Sequence, residues 1–509
     1  MICLLCKKVL NFRKHYFLIT FALILLASVS KSAAVDVPSS GYPAIFDKTP
    51  TRDNNPQKPE VKTTKLSLAD VVILVLANNT EIKNAYLDRI AQKQDLTVAE
   101  GKFRPILTPI LSFSVNRLGE VTNTLGSLDA KVVVKVSTGG EFNFGWTGNT
   151  QGSNISNANN FSTSLNNDSF SQNLQLSFRQ PLLKGGGTSL NQASIAVARL
   201  NETSNIINLK STLSDTITKA IFAYRELLQA QERLKIEQLS LKNAEESLEV
   251  TQVLIDAGRV APVDIVQNQT DIANRRVSLL SAENDLESKK LSLISILNIN
   301  QKTNVEAGEL PTVKPTQLEL EKLKQIALQN QPTYLNSLLN LDKNKIDLRL
   351  AEDEKRWDLS FTTSLGNGTN QDTDARAGLS LSRVIGDLSL NQRFERSRVE
   401  LLKTENTVRN VRTQLDIDLQ DKIRNIQLSF SQLELARQRT ELSVRQLEIE
   451  QEKQKLGRSR LLDIIKLQND LVQAKNDELN ATITYLNALT NLDQFLGTTL
   501  QTWQVSIEN

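Results

Sequence analysis

The chain has 509 residues, with 60 Lys plus Arg against 57 Asp plus Glu, one His, two Cys and 5% aromatic residues. Its only His, His15, and both Cys, Cys3 and Cys6, lie in an N-terminal segment that carries the marks of a removable signal. Histidine general-base catalysis, cysteine nucleophiles, disulfides and Cys/His zinc sites are thereby excluded from the mature chain.

That segment sets Lys7, Lys8, Arg13 and Lys14 before an apolar run from Tyr16 to Val29, then ends in Ser32-Ala33-Ala34. The order is that of a secretory signal over residues 1–34, cleaved after Ala34. The run is shorter than the roughly 20 apolar residues that a membrane-spanning helix needs. Five basic residues, the fifth being Lys31, and no acid fall within residues 1–34, so the remainder holds 55 positive and 57 negative charges, a net of −2. Nucleic-acid binding loses its electrostatic basis with the signal. No later stretch has the length and apolarity of a transmembrane helix, which leaves an exported chain either soluble or inserted as a β-barrel.

Residues 35–65 form a flexible leader with Pro38, Pro43, Pro50, Pro56 and Pro59. A helix is expected over 66–103. A strand follows over 105–117, where Leu111, Phe113 and Val115 alternate with Ser112, Ser114 and Asn116. Val132, Val134 and Val136, then Gly139-Gly140, then Phe142, Phe144 and Trp146 read as an inserted hairpin over 130–147. Two places are open to it: an extension of the strands or a cap on an outer mouth. A second strand is expected over 171–182, with Leu174, Leu176 and Phe178 on one face. At Pro181-Leu182-Leu183-Lys184-Gly185-Gly186-Gly187 the spacing is wrong for a phosphate loop and no Lys-Ser/Thr pair follows. Pro181, Gly185, Gly186 and Gly187 are instead assigned to a turn from strand into helix.

Between Gly187 and Gly258, and again between Gly386 and Gly457, lie 70 residues without Gly or Pro. Each interval reads as one helix of roughly 100 Å. Expected helices are 189–256 and 263–298 in the first half, then 317–355, 389–456 and 462–496 after a linker at 299–316. Strands are expected over 357–366 and 376–388, and a tail over 498–509. Sliding the chain by 199 places Gly258-Arg259 on Gly457-Arg458 and Asp264-Ile265 on Asp463-Ile464, and sliding it by 252 places Ala99-Glu100 on Ala351-Glu352. The chain therefore reads as a tandem duplication, residues 66–298 and 317–497, with the insertion in the first half.

The long helices keep a seven-residue rhythm. Leu213, Ala220, Leu227 and Leu234 follow it, as do Ile272, Leu279, Leu286 and Leu293, and as do Leu428, Leu435, Leu442, Ile449 and Leu456. Seams of this kind pack helices as coiled coils. Four strands per chain cannot close a barrel, and open edges cannot face lipid. Three copies would supply twelve. The expected class is mainly α with a β-barrel portion: a long coiled-coil α-helical tunnel plus a trimeric transmembrane β-barrel.

The two helical breaks, Gly258-Arg259-Val260-Ala261-Pro262-Val263-Asp264 and Gly457-Arg458-Ser459-Arg460-Leu461-Leu462-Asp463, place a helix-ending Gly before a helix-starting Asp. They also form the far end of the helical rod, where a partner docks or a bore narrows. With these tips, Phe103-Arg104-Pro105, Arg179-Gln180-Pro181-Leu182-Leu183, and Gln269 and Gln468 after the tips, the chain resembles the TolC-like outer-membrane efflux protein family over residues 66–497. The resemblance implies a homotrimer in outer-membrane lipid with a periplasmic tunnel. It implies an exit duct for inner-membrane pumps or type I secretion systems, joined through a periplasmic adaptor protein, with no cofactor and no chemistry of its own. It also puts Asp463 at an acidic constriction of the bore, with Asp264 as its first-half counterpart, and lays Lys466 on the family's second acidic position. Gly258, Arg259, Gly457, Arg458 and Arg460 become docking candidates at the tip. The competing expectation is a periplasmic coiled-coil adaptor or a structural rod without a pore, which calls for compact β-rich domains flanking one helical hairpin.

Overall fold

The computed structural model describes residues 63–118, 121–155, 169–369, 371–456 and 458–506. The expected signal, most of the leader and Gly457 lie outside them. Strand β1 (Thr63–Leu66) leads into helix α1 (Leu68–Asn78). Ser67 and Asp70 close a capping box there: the Ser67 N–H donates to Asp70 Oδ2 at 2.9 Å and the Asp70 N–H to Ser67 Oγ at 3.2 Å. The single helix expected over 66–103 is broken at Asn79, whose extended backbone (ψ 134°) ends α1. Its side-chain oxygen accepts from the Glu81 and Ile82 N–H groups, starting α2 (Thr80–Glu100).

Strands β2 (Ile106–Leu118), β3 (Val121–Lys135), β4 (Glu141–Ile155) and β5 (Ser169–Pro181) come next. Helices α3 (Ala193–Asp256) and α4 (Asp264–Leu297) follow, then β6 (Asn304–Ala307), which pairs in parallel with β1. The second half repeats the pattern with α5 (Leu320–Asn330), α6 (Pro332–Glu354), β7 (Asp358–Gly368), β8 (Gln371–Ser382), α7 (Leu388–Lys455) and α8 (Leu461–Leu496). The helix expected over 317–355 is likewise split, at Gln331. A residue before proline avoids the helical region, and Gln331 (ψ 119°) caps α6 by accepting from the Tyr334 N–H at 2.6 Å. Residues 383–388 are not strand: Gly386 has φ +87° and Asp387 accepts from the Ser389 N–H to start α7.

Among the described residues six strands, not four, form one antiparallel sheet in the order β2-β3-β4-β5-β7-β8. The inserted hairpin supplies its second and third strands, over 121–155 rather than 130–147. Its turn faces the helices rather than an outer mouth, because the Gly187 N–H donates to Thr138 O at 3.0 Å and the Gln180 amide to the same oxygen at 3.1 Å. Gly139, with φ +95°, sits so close that an added Cβ would lie 2.4 Å from Gly185 O.

Beside the sheet the helices lie in the order α2-α3-α6-α7, and toward the far end in the order α4-α3-α8-α7. Arg89 and Glu202 pair across α2 and α3, with Arg89 Nη1 2.6 Å from Glu202 Oε2. Each half has its own apolar core. Val71, Val75, Leu213, Ala220, Leu227, Leu293 and Val305 build the first, and Leu415, Leu419, Leu433, Tyr485 and Leu492 the second. None of the described helices is long and apolar enough to cross a membrane.

Candidate functional site

Directly opposed residues in an antiparallel sheet point to the same face. The register therefore assembles the alternating strands into two continuous surfaces. One carries Leu111, Phe113 and Val115 of β2 and Leu128 and Val132 of β3, then Phe142, Phe144 and Trp146 of β4. It continues through Leu174, Leu176 and Phe178 of β5 and Phe361 and Leu365 of β7 to Leu379 and Leu381 of β8. Except for half-buried Val132, Trp146 and Phe178, these residues are exposed where a water-soluble sheet would cover them: Leu111 is 82% and Phe113 74% accessible. Phe142 and Phe178 stack with ring centroids 4.2 Å apart. The opposite face carries Ser112, Ser114, Asp129, Lys131, Asn143, Gln175, Ser177, Arg179, Ser364, Asp374 and Arg376. Ser112 and Ser127 hydroxyls meet there at 2.5 Å, and Arg179 pairs with Asp358 at 3.2 Å. An apolar face against a small-polar and charged face is the pattern of a wall between lipid and water.

The joint between sheet and helices is held by backbone contacts to the predicted turn. The Leu182 N–H donates to Leu359 O at 2.7 Å, the Lys184 N–H to Trp357 O at 3.1 Å and the Gly185 N–H to the Asp353 carboxylate at 2.6 Å. Asn191 donates to both Gly185 O and Gly187 O. Gly185 (φ +75°) and Gly187 (φ +101°) adopt left-handed geometry there, Gly186 packs on the Pro181 carbonyl, and the chain leaves directly into the helix. Lys102 reaches Asn191 O at 2.6 Å, and burial, then the Lys135 charge, pulls its ammonium below the usual lysine range.

At the far end α3 closes with a Schellman turn: the Arg259 N–H donates to Leu254 O at 2.9 Å and Gly258, at φ +70°, donates to Ile255 O at 2.8 Å. The second tip repeats the long bond, from the Arg458 N–H to Lys453 O at 2.8 Å. Asp264 opens α4 and Asp463 sits in the first turn of α8, its N–H donating to Arg460 O at 3.1 Å. Asp463 and Lys466 are both exposed. Among the described residues no ion pair within 4 Å joins Asp463, Lys466, Arg259, Arg458 or Arg460 to any partner in the same chain. Glu450, close by on α7, is held below the usual glutamate range by hydrogen bonds from Lys453 and then Ser459.

Sequence reasoning missed the group that ties the two tips together. Arg275 on α4 is buried, pairs with Asp271 at 2.7 Å, bonds to Ser240 on α3, and reaches Gln468 at 3.3 Å and Asn469 at 3.1 Å on α8. The available signal was its place three residues after Ile272, an inward seam position, with buried Ala474 standing 199 residues further on. A second link lies nearer the middle, where Arg225 on α3 bonds to Asn487 and Thr490 on α8, both at 2.9 Å. Burial pushes that guanidinium down to about 10, so it stays charged at neutral pH.

Residues 72–298 match the family model described as outer membrane efflux protein. The chain is 22% identical over 299 residues to the outer membrane efflux protein BepC of Brucella suis, an alignment covering 55% of this chain and 64% of that one. It is 24% identical over 301 residues to the cobalt-zinc-cadmium resistance protein CzcC of Cupriavidus metallidurans, covering 57% and 69%. The match thus spans just under two thirds of BepC. In fold it is similar to the CmeC outer membrane channel of Campylobacter jejuni, with a TM-score of 0.60, 13% identity and 85% and 86% of the two chains covered. Segment 72–298 thus matches the outer membrane efflux protein family model, and the fold of the chain is similar to that of solved outer-membrane channels.

Proposed function

We propose that the chain is one protomer of a homotrimeric outer-membrane exit duct, which takes cargo from an inner-membrane pump through a periplasmic adaptor and performs no chemistry itself. The observation that carries this is the apolar face running unbroken across all six strands. A sheet with that face in lipid cannot leave its edges open. Edges β2 and β8 run in opposite directions and hold 13 and 12 residues. Joining copies edge to edge therefore continues both the antiparallel order and the apolar face.

The helices support the same assembly. Leu428, Leu435, Leu442 and Ile449 of α7, with Leu456 at its C-terminal cap, keep their seven-residue spacing yet are 53% to 64% exposed. On α4, Val266, Val277, Leu280 and Leu291 are 58% to 67% exposed, and Val266, Ala273 and Leu280 are again seven apart. Both stripes begin at the tips and extend about 40 Å at 1.5 Å per residue. They lie on the two outer helices of the order α4-α3-α8-α7. A neighbour's α4 fits against α7 as the missing half of a coiled coil. The equivalent order of helices, strands and tips in the two halves supports the tandem-duplication reading.

At the tip, three copies of Asp463 facing the bore form an acidic ring that favours cations, and Gly258, Arg259, Gly457, Arg458 and Arg460 offer the adaptor a docking edge. Mass measurement of the detergent-solubilised protein, beside its heat-resistant migration on a gel, tests the assembly. A trimer is expected, and a stable monomer would leave the rod without a pore as the better account.

A further inference from the structure

The place of the β3–β4 hairpin inside the sheet changes the size of the duct that the proposed trimer forms. We infer that the outer-membrane barrel of this protein has eighteen strands rather than the twelve expected from its sequence, and that its bore in the membrane is as wide as its helical tunnel. This inference rests on the trimeric duct reading given above.

Three observations carry it. Both strands of the hairpin are full members of the sheet: β3 is paired with β2 from Ile106 to Leu118, and β4 with β5 over Glu141–Gln151. No strand of the sheet pairs β2 directly with β5. A hairpin folded over a four-stranded wall would leave β2 and β5 as neighbours. The hairpin also presents the same two faces as the wall, with Leu128, Val132, Phe144 and Trp146 on the apolar side and Asp129, Lys131 and Asn143 on the polar side. Its turn is fixed at the helical end by the Thr138 and Gly139 contacts to the 180–187 joint, which holds both strands in the plane of their neighbours.

The helices supply an independent measure of width. Four of them, α2-α3-α6-α7, stand side by side beneath the sheet. At helix spacings of 8–10 Å they occupy an arc of about 36 Å per copy. Strands about 4.8 Å apart and tilted about 40° occupy about 6.3 Å of circumference each, so six span about 38 Å and four only about 25 Å. Six strands therefore span the arc of their four helices. The same spacing gives a backbone diameter of about 36 Å for eighteen strands against about 24 Å for twelve. Allowing about 5 Å of side chain on each wall leaves an open width of about 26 Å against about 14 Å, a more than three-fold larger cross-section. A single α-helix is about 10–12 Å across, so the wider bore admits a helical hairpin or a loosely folded polypeptide where the narrower admits one helix. The outer membrane then places no size limit on cargo that has already passed the tips.

Electron cryomicroscopy of the full chain in lipid nanodiscs, viewed down the barrel axis, counts the strands directly. A trimer with eighteen wall strands is expected. A trimer with twelve, the β3–β4 hairpin lying in the lumen or outside the wall, would overturn this inference and leave the exit-duct reading standing. Particles with no barrel closed from several copies would overturn both.

Discussion

The α3 and α7 helices carry leucines at the same seven-residue spacing but put them to different uses. Leu213, Ala220 and Leu227 of α3 are completely buried within the chain, whereas Leu435 and Leu442 of α7 are 64% and 63% exposed. A heptad pattern states that a helix has a partner; it does not state that the partner belongs to the same molecule. The α3 seam is closed within the chain, whereas the α7 seam is left open to a further helix.

Substituting the two seams is expected to give the largest effects. Leu227→Ala opens a cavity in the first core and is expected to destabilise the chain by about 2–5 kcal/mol in denaturant titrations. Leu435→Glu with Leu442→Glu is expected to leave helical content intact by circular dichroism while abolishing the heat-resistant trimer. A double variant that unfolds as readily as Leu227→Ala would show that α7 has an intramolecular partner after all.

A second substitution sharpens the contrast between the two halves. Arg275 is buried with Asp271, Ser240, Gln468 and Asn469 around it, where the second half has Ala474. Removing one member of a buried ion pair strands the other, so Arg275→Ala should cost about 3–5 kcal/mol. Arg275→Ala combined with Asp271→Ala should recover part of that loss in the same unfolding assay. Full additivity would mean that the two groups do not act as a pair.

Smaller effects separate the joint from the tip. Gly139→Ala meets both a left-handed backbone and the Gly185 carbonyl, and should cost about 1–3 kcal/mol. At Gly258 nothing lies within 4 Å of an added Cβ, so Gly258→Ala should show only the backbone penalty of about 1–2 kcal/mol. Equal melting temperatures for the two would remove the hairpin turn from the joint. The smallest expected change in stability belongs to Asp463→Ala, whose effect should instead be a reversal potential shifted toward zero as three carboxylates leave the bore. An unchanged reversal potential in a normally assembled protein would place Asp463 outside it.

Much of the architecture was legible because period 2 and period 7 are physical signatures of sheets and helix seams. Leu111, Phe113 and Val115 announced a two-faced strand, and the glycine-free runs announced long helices. The membership of the hairpin was not legible, since Val132, Val134 and Val136 alternate identically whether they extend a wall or cover a mouth; only pairing with Leu107, Pro109 and their neighbours decides. The helix break at Asn79 was hidden because one side-chain cap suffices to make it, whereas the break at Gln331 was marked by Pro332 and went unread. Arg275 was hidden because a charged residue within a seam reads as surface until the third helix closes over it.

In the proposed duct the two-faced sheet forms the wall of a water-filled conduit. Single-channel recording of the purified full-length protein in a planar lipid bilayer tests it most directly. Discrete, stepwise and cation-selective conductance is predicted. Assembled protein that inserts into the bilayer yet carries no current would contradict the account and favour a rod without a pore.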